Sequence, residues 1–381
     1  MRGAPTRVVS AVALVALGSA TPLRASAQEN GVIATRAAAE MDSYTLQSSG
    51  TAKTISQLVT PFAVVVPIGE RLTFDIATAY AQSRVEVKGD SAAPSTVSGL
   101  TDTQLRGSYV FGQDAVVLTA GVNLPTGQST ANAKQFAAAQ NISNDFLLFP
   151  IGTMGAGLGA TGGIAAARSV GAWNLGFGGS YRHSADFAPF EYNDGQKAHY
   201  QPGNELRGRI GIDRTFGAAT AMFGATYSRF SDDKSAGATF NTGNRLVFQG
   251  GYSTVVSGVG LSLNGWNLTR TRGSRADGRD APSENITNIA LGGSFLVAGV
   301  SLEPTVEARY LSRSAVASAT SAIGTTAGEP AGTGRMETAG LRARWKVSAI
   351  QVIPAAAFST GKLEGEELRG WHGTLAIRFA P

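Results

Sequence analysis

The chain has 381 residues, of which 43% are hydrophobic and 15% are charged, and its formal net charge is +5. It contains 48 glycines and no cysteine. The absence of cysteine excludes a disulfide framework and every site built on a thiolate, whether as nucleophile or as metal ligand.

The first 27 residues have the three parts of a secretory signal peptide. Arg2 and Arg7 form a short basic region, residues 8–20 are apolar, and residues 25–27 (Ala-Ser-Ala) fit the A-x-A cleavage rule. Cleavage after Ala27 leaves 354 residues and removes three arginines, so the net charge falls from +5 to +2. A charge this small gives no electrostatic case for nucleic acid. We therefore predict an exported protein without a nucleic-acid partner.

Residues 28–53 are predicted to be a segment separate from the main fold, which then begins at residue 54. Residues 28–42 have no strand pattern and favour a periplasmic tail or a plug that enters a lumen, whereas residues 43–47 could form a short first strand. After Ala27 no run of about 18 apolar residues predicts a transmembrane helix. If the mature chain lies in a membrane, it must be a closed β-barrel, because lipid offers backbone groups no partners.

The rest of the chain alternates between apolar and polar residues with a period of two. In residues 301–310, for example, Leu302 and Val306 fall on one face, and Glu303 and Glu307 fall on the other. Many such segments run for about 10–15 residues, which exceeds the 5 or 6 typical of globular proteins and suits a tilted membrane strand.

Short and long connections alternate between these segments. Tight turns are predicted at Gly69-Glu70, Gln113-Asp114, Gly171-Ala172, Gly217-Ala218, Ser257-Gly258, Ala298-Gly299 and Ser348-Ala349, with longer polar stretches between them. This arrangement is typical of outer-membrane barrels, which have short periplasmic turns and long external loops. The sequence therefore predicts an all-β fold, a transmembrane antiparallel up-and-down β-barrel of about 14–16 strands over residues 54–381.

One stretch, residues 99–127, carries a family resemblance. It combines a strand start, a Tyr-x-Phe before a turn and an apolar strand closing in Leu-Pro-Thr-Gly, at Gly99, Asp102, Thr103, Tyr109, Phe111, Leu124, Pro125, Thr126 and Gly127. It resembles the outer-membrane transporter-like proteins of the meta-pathway of phenol degradation, which are distantly similar to fatty-acid and aromatic-hydrocarbon channels. The resemblance implies a passive channel for small, often apolar molecules. Pro125 cannot continue a ladder, so the strand should end there, at the external rim.

The resemblance also implies a partner for the last strand. Barrels of this class tend to end in Phe, which the barrel assembly machinery reads, and here Phe379 is followed by Ala380 and Pro381. The assembly machinery is therefore the expected partner of the strand that ends at Phe379.

The run GAGLGATGG, residues 155–163, contains G-x-G-x-x-G starting at Gly157. A dinucleotide site needs a βαβ unit and an acidic residue about 20 positions on. Here a predicted turn and a second strand follow, and no acidic residue is nearer than Asp186. We predict that the run belongs to a barrel strand, although the preceding FLLFPIGTM could also be a strand.

Charged side chains on the strands are expected to face the lumen, since at the lipid face they would cost a few kcal/mol each. The candidates for lining the lumen are Asp75, Asp102, Arg106, Arg182, Arg207, Arg209, Asp213, Glu303, Glu307, Arg309, Arg342, Arg344 and Lys346. Either they line a wet pore, or they pair with one another and with a plug. The sequence leaves both open.

Catalytic and metal sites have little support. His183 and His372 are predicted on lumen faces and His199 in a loop; Ser184 would point away from His183, so these two cannot act together. An enzyme would require His183 or His372 to meet a carboxylate and a hydroxyl within hydrogen-bond reach. The acidic residues of loop 277–284 match no calcium-loop spacing. No metal and no cofactor are expected.

The predicted function is a channel or passive transporter for small molecules in the bacterial outer membrane, surrounded by outer-membrane lipid. The resemblance adds aromatic or other apolar compounds as a solute class. Three alternatives are left open: a plugged structural or surface-binding barrel, a barrel enzyme acting on lipid, and a soluble exported β-sandwich.

Overall fold

The computed structural model describes residues 34–48, 51–88, 93–112, 116–316, 319–321, 324–326 and 328–379. Sixteen antiparallel strands in these ranges form one closed sheet. The strands are β1 (Ala34–Ser48), β2 (Thr51–Ile68), β3 (Leu72–Val87), β4 (Ser95–Leu100 and Thr103–Phe111, interrupted by two residues), β5 (Val116–Leu124), β6 (Gly159–Val170), β7 (Trp173–Ser184), β8 (Glu205–Phe216), β9 (Ala219–Phe230), β10 (Arg245–Val256), β11 (Val259–Arg270), β12 (Glu284–Val297), β13 (Val300–Arg313), β14 (Gly332–Val347), β15 (Ile350–Leu363) and β16 (Glu366–Phe379). The predicted all-β barrel is confirmed.

The barrel closes where the first strand meets the last. Asp42 of β1 lies opposite Gln57 of β2 on one side and His372 of β16 on the other. Every strand in the sheet therefore has two neighbours, which leaves no unpaired edge for lipid to cover. A two-sheet β-sandwich is excluded by this closure.

Residues 34–48 and 51–53, which we separated from the barrel, lie in its wall. Residues 34–48 form β1, and residues 51–53 open β2, so the barrel begins 20 positions before residue 54. The run of alanines at residues 37–39 hid the alternation that marks the other strands. The predicted signal peptide, residues 1–27, lies outside the described residues.

The six predicted turns that the structure describes all lie at one end of the barrel, which we call the turn end. Six of the seven predicted turns connect consecutive strands as expected, and the seventh, at Gln113-Asp114, lies outside the described residues. Both residues of Ser257-Gly258 and both of Ala298-Gly299 have positive φ, which is the type I′ geometry that suits twisted hairpins. The opposite end, which we call the loop end, carries the long connections and also the two-residue turn Glu364-Gly365 between β15 and β16.

Three of the long connections share a second, five-stranded sheet. It is formed by Ala131–Asn132, Phe187–Glu191, Lys197–Gln201, Asp233–Ser235 and Ala238–Phe240. Two further loops form small hairpins, Gly273–Ser274 with Asp280–Ala281 and Ala319–Ser321 with Gly324–Thr326. The loop end of the barrel is therefore ordered by its own hydrogen bonds.

The outer surface of the barrel wall is apolar. Val306 of β13 is 53% exposed, and Leu341 and Phe358 on the next two strands are exposed to a similar degree. Their sequence neighbours Glu307 and Arg342 line the interior. Alternation thus places the apolar face toward lipid and the charged face inward.

The connection between β5 and β6, residues 125–158, folds into the barrel; we call it the inner loop. It contains the helix α1 (Phe136–Ile142). Ile142, Phe146 and Leu147 are almost completely buried and join a hydrophobic cluster with side chains of β1–β4 and β12–β16. Among the described residues, no helix is long and apolar enough to cross a membrane.

Two sequence predictions fail in the inner loop. FLLFPIGTM is not a strand, because its apolar side chains pack on the lumen wall instead of alternating across a sheet. Only the second half of GAGLGATGG is a strand: β6 begins at Gly159, and residues 155–158 end the inner loop.

Candidate functional site

A cavity of about 1930 Å³ occupies the interior of the barrel. Its lining includes Glu205 and Arg245, the first residues of β8 and β10 at the loop end. It also includes Ala218, in the turn after β8, and Val255, near the turn after β10. The cavity therefore extends along the barrel from the loop end to the turn end.

Ten of the thirteen residues that we expected to line the lumen do border this cavity. They are Asp75, Arg106, Arg182, Arg207, Arg209, Glu303, Glu307, Arg309, Arg342 and Arg344. The alternation of the strands is sufficient to orient them.

The other three expected lining residues lie elsewhere. Asp102 is buried between the two halves of β4, beneath the inner loop. Asp213 lies near the turn end of β8, where its carboxylate accepts a hydrogen bond from Asn174 Nδ2 at 2.8 Å. Lys346 is exposed next to the last residue of β14. The alternation of a strand predicts which face a residue occupies but not its position along the barrel axis. This explains why Asp213 and Lys346 lie near strand ends and do not border the cavity.

Most acidic residues of the cavity are paired with arginines. The pairs are Asp75 with Arg106 at 2.7 Å, Glu205 with Arg207 at 2.6 Å, Glu303 with Arg344 at 3.1 Å and with Arg342 at 3.5 Å, and Glu307 with Arg309 at 2.5 Å. The pairs of Asp75 and Glu303 join neighbouring strands, and such cross-strand pairs stabilise a sheet modestly. The charges thus border a cavity and pair with one another; whether they line a water-filled pore stays a prediction.

Gln57 of β2 attaches the inner loop to the wall. Its Nε2 donates to the carbonyl of Ile151 at 2.8 Å and to Ser83 Oγ at 2.9 Å, and its Oε1 accepts from the Ile151 amide at 2.9 Å. Its side chain is fully buried, so each of these bonds satisfies a group that water cannot reach. Arg309 adds a bond from Nη1 to the Phe146 carbonyl at 2.6 Å. The sequence did not indicate this role of Gln57, because a neutral polar residue on an alternating strand carries no sign of a partner in a distant loop.

Asp102 holds the two ends of the inner loop together. Its Oδ1 accepts from the Gly127 amide at 3.0 Å, and its Oδ2 accepts from the Ala156 amide at 2.7 Å and from Asn123 Nδ2 at 2.8 Å. Nearby, Thr126 Oγ1 accepts from the Thr103 amide at 2.8 Å. The residues that carried the family resemblance therefore build the base of this loop, and β5 ends at Leu124, just before Pro125.

The inner loop packs its apolar side chains against one part of the barrel wall. Its buried side chains contact β1–β4 and β12–β16. On β7, β8 and β10 the cavity is lined by Arg182, Arg207, Arg209 and Arg245; we call these four residues the arginine wall. Asp145 of the inner loop lies 3.8 Å from Arg245 and is also bonded by Arg270. Over its whole lining the cavity has nine arginines and seven carboxylates.

His372 connects a carboxylate and a hydroxyl at the seam between β1 and β16. Its Nδ1 lies 2.7 Å from Asp42 Oδ1, and its Nε2 lies 2.7 Å from Thr374 Oγ1. All three side chains border the cavity. The prediction for His183 was wrong: its neighbour Arg182 lines the cavity, so His183 points to the opposite face, where it contacts Asn204 at 2.9 Å.

The acidic residues of loop 277–284 are each paired with a different arginine. Asp277 pairs with Arg279 at 2.7 Å, Asp280 with Arg272 at 3.5 Å and Glu284 with Arg270 at 3.9 Å. No cluster of three or more histidines or acids suited to a metal occurs in the part of the chain that the structure describes.

Another ion pair joins two loops at the loop end of the barrel. Both terminal guanidinium nitrogens of Arg275 donate to Glu329, at 2.5 Å and 2.7 Å. These hydrogen bonds hold the pKa of the Glu329 carboxyl below its usual value.

The chain is similar to several solved outer-membrane proteins. OmpT of Vibrio cholerae is 8% identical, with 91% of this chain and 97% of that chain covered and a TM-score of 0.41. A mutant of Rh. blastica porin is 14% identical over 91% and 99% of the chains, with a TM-score of 0.35. A bacterial polysaccharide outer-membrane secretin is 10% identical over 92% and 99%, with a TM-score of 0.47.

A comparison with family models gives no match, and a comparison with curated proteins gives none either. The resemblance to the phenol meta-pathway transporters in residues 99–127 therefore gains no support from a family match.

Proposed function

We propose that the protein is a bacterial outer-membrane channel through which small polar solutes diffuse, with a preference for anions. The proposal rests on one observation: the cavity of about 1930 Å³ reaches both ends of the same strands, from Arg245 to Val255 on β10. An apolar outer face and a charged interior are what a barrel needs to hold water inside a bilayer. The predicted signal peptide supports export to the outer membrane.

The preference for anions follows from the arginine wall. Arg182, Arg207, Arg209 and Arg245 border the cavity on strands that contribute nothing to the hydrophobic cluster of the inner loop, although Arg245 lies 3.8 Å from its Asp145. Charges that line a narrow passage with low-dielectric walls concentrate counter-ions and set selectivity. Apolar solutes, which the family resemblance implied, fit less well, because they would displace water from these charges without replacing its hydrogen bonds.

Uptake into proteoliposomes tests this proposal. Vesicles containing the mature chain should take up a small sulfonate faster than an uncharged sugar of similar size. Uptake of a quaternary ammonium ion of similar size should be the slowest of the three. Replacing Arg182 and Arg209 together by Gln should reduce this preference several-fold while sugar uptake continues. Arg335→Gln is the matched control, since Arg335 does not border the cavity. Equal uptake of the sulfonate and the quaternary ammonium ion would show that the arginine wall does not set the selectivity.

A plugged barrel with the long loops as its working surface is the second candidate. The inner loop favours it, because this loop fills part of the lumen and is firmly packed there. In that case folded protein would give no uptake of any solute until the inner loop is released.

A further inference from the structure

We propose that Asp42, His372 and Thr374 form a hydrolytic site on the lumen wall, which cleaves carboxylic esters of small solutes. This activity goes beyond the proposed channel and does not require that the solute cross the barrel. It rests on the hydrogen-bonded chain from carboxylate to imidazole to hydroxyl.

The barrel wall fixes the three side chains relative to one another. His372 and Thr374 are two positions apart on β16 and therefore share a face. Asp42 lies directly opposite His372 in the pairing of β1 with β16. Asp42 is only 4% exposed, so its carboxylate is held in place, while His372 and Thr374 are half-buried and border the cavity.

The contacts give each ring nitrogen of His372 a distinct role. Since the Asp42 carboxylate can only accept, Nδ1–H donates to it at 2.7 Å. The other nitrogen, Nε2, then has a free lone pair directed at the Thr374 hydroxyl at 2.7 Å. Nucleophile, base and orienting carboxylate thus follow in the order that activates a hydroxyl for attack.

Small residues leave space in front of this site. In the sheet, Ala355 and Ala357 of β15 lie next to Thr374 and His372. Arg342 of β14 lies opposite Ala355, so the width of one strand separates it from Thr374, and its guanidinium is 3.5 Å from Glu303. A cation on this wall favours the negative charge that develops on an attacked carbonyl oxygen. All these residues border the cavity.

The reaction has two balanced steps. Thr374 Oγ1 attacks the ester carbonyl carbon and passes its proton to His372 Nε2; the C–O bond to the alcohol breaks, and the alcohol leaves with that proton. The acyl group is now an ester of Thr374. Water then attacks this ester, gives a proton to Nε2, and Thr374 leaves with it as the hydroxyl, releasing a carboxylic acid. Asp42 keeps the ring oriented and stabilises its protonated form.

Hydrolysis of p-nitrophenyl acetate and butyrate by the folded mature chain in detergent tests the site. Wild type and Thr374→Ser should release nitrophenol, whereas Thr374→Val and His372→Asn should lose about 10²–10⁴-fold in rate. Thr338→Val is the matched control: Thr338 also borders the cavity, but its hydroxyl contacts Ser359 at 2.8 Å and no histidine. Asp42→Asn should lower kcat with KM unchanged, as expected of a positioning residue.

A small alkyl fluorophosphonate gives an independent result that needs no correct ester. Wild type should gain one phosphonyl group, located by mass spectrometry on the peptide containing Thr374, and Thr374→Val should gain none. Heat-modified gel migration verifies that each variant is folded. Folded wild type with neither an adduct at Thr374 nor hydrolysis above Thr374→Val would overturn the proposal, whatever the channel measurements give.

Discussion

At the scale of single residues, Gly127 sets how closely the inner loop approaches the barrel. A Cβ at this position would collide with the Met154 carbonyl and would lie 2.6 Å from the Asp102 amide. Only glycine lets the two ends of the inner loop meet over Asp102. The Pro-Thr-Gly sequence that ends β5 is therefore a packing requirement of this loop.

The variant Gly127→Ala should push residues 128–156 away from the wall and lower stability by about 1–3 kcal/mol, the usual cost of overpacking. Hydrogen exchange across the inner loop and thermal unfolding in detergent measure both effects. Gly162→Ala is the control, because a Cβ at Gly162 meets nothing within 4 Å. Equal effects of the two substitutions would show that the contact at Gly127 is unimportant.

A pH effect is expected at the pair of Arg275 and Glu329. Since the folded pKa of Glu329 is lowered, the pair stabilises the loop contact above the usual glutamate pKa. This contribution is lost as the pH falls through the folded pKa, because the carboxyl must then be protonated. Hydrogen exchange in residues 271–283, corrected for its intrinsic pH dependence, should accelerate in acid for the wild type. In Glu329→Gln the rate should be high throughout and show no such step.

For single residues, the sequence predicted which face of a strand a charged side chain occupies better than which partner a side chain contacts. Glu303 and Arg342 were found because a charge on an alternating strand has only one inexpensive face. Gln57 and Asp42 were not proposed, since their roles depend on which strand lies opposite. The seam between β1 and β16 brings together positions 330 residues apart, and no local pattern predicts that contact.

At the scale of elements, the inner loop decides how much of the lumen is open. From the sequence, residues 28–42 were a candidate for a periplasmic tail or a plug, whereas the segment found inside the barrel is residues 125–158. Its apolar run resembled a strand because both a strand core and a packed loop are rich in Leu and Phe. Strand positions, turns and the loop end could be predicted from the two-residue period; the path of a long loop could not.

Two adjacent leucines test how the inner loop is held. Leu147 is 1% exposed and Leu148 is 38% exposed. Leu147→Ala should weaken packing of the loop by about 2–5 kcal/mol, and Leu148→Ala should have little effect. The readout is single-channel current, which should become noisier or larger only for Leu147→Ala. Identical currents from both variants would mean that this packing does not hold the loop.

At the scale of the whole molecule, the two faces of the barrel wall should lie in opposite environments, lipid outside and the cavity inside. Val306→Arg should destabilise the barrel in lipid vesicles by about 2–4 kcal/mol, the cost of an arginine near the bilayer midplane. Thr305→Arg, one position away and facing the cavity, should cost much less. Denaturant unfolding in vesicles gives both values. Equal costs would contradict a lipid-facing position for Val306.

An open, anion-preferring water path through the intact barrel can be detected by planar-bilayer recording with a salt gradient. We expect steady single-channel conductance from the mature chain, with a reversal potential of the sign that anion selectivity gives. Folded protein that never conducts, or that conducts with cation selectivity, would contradict it.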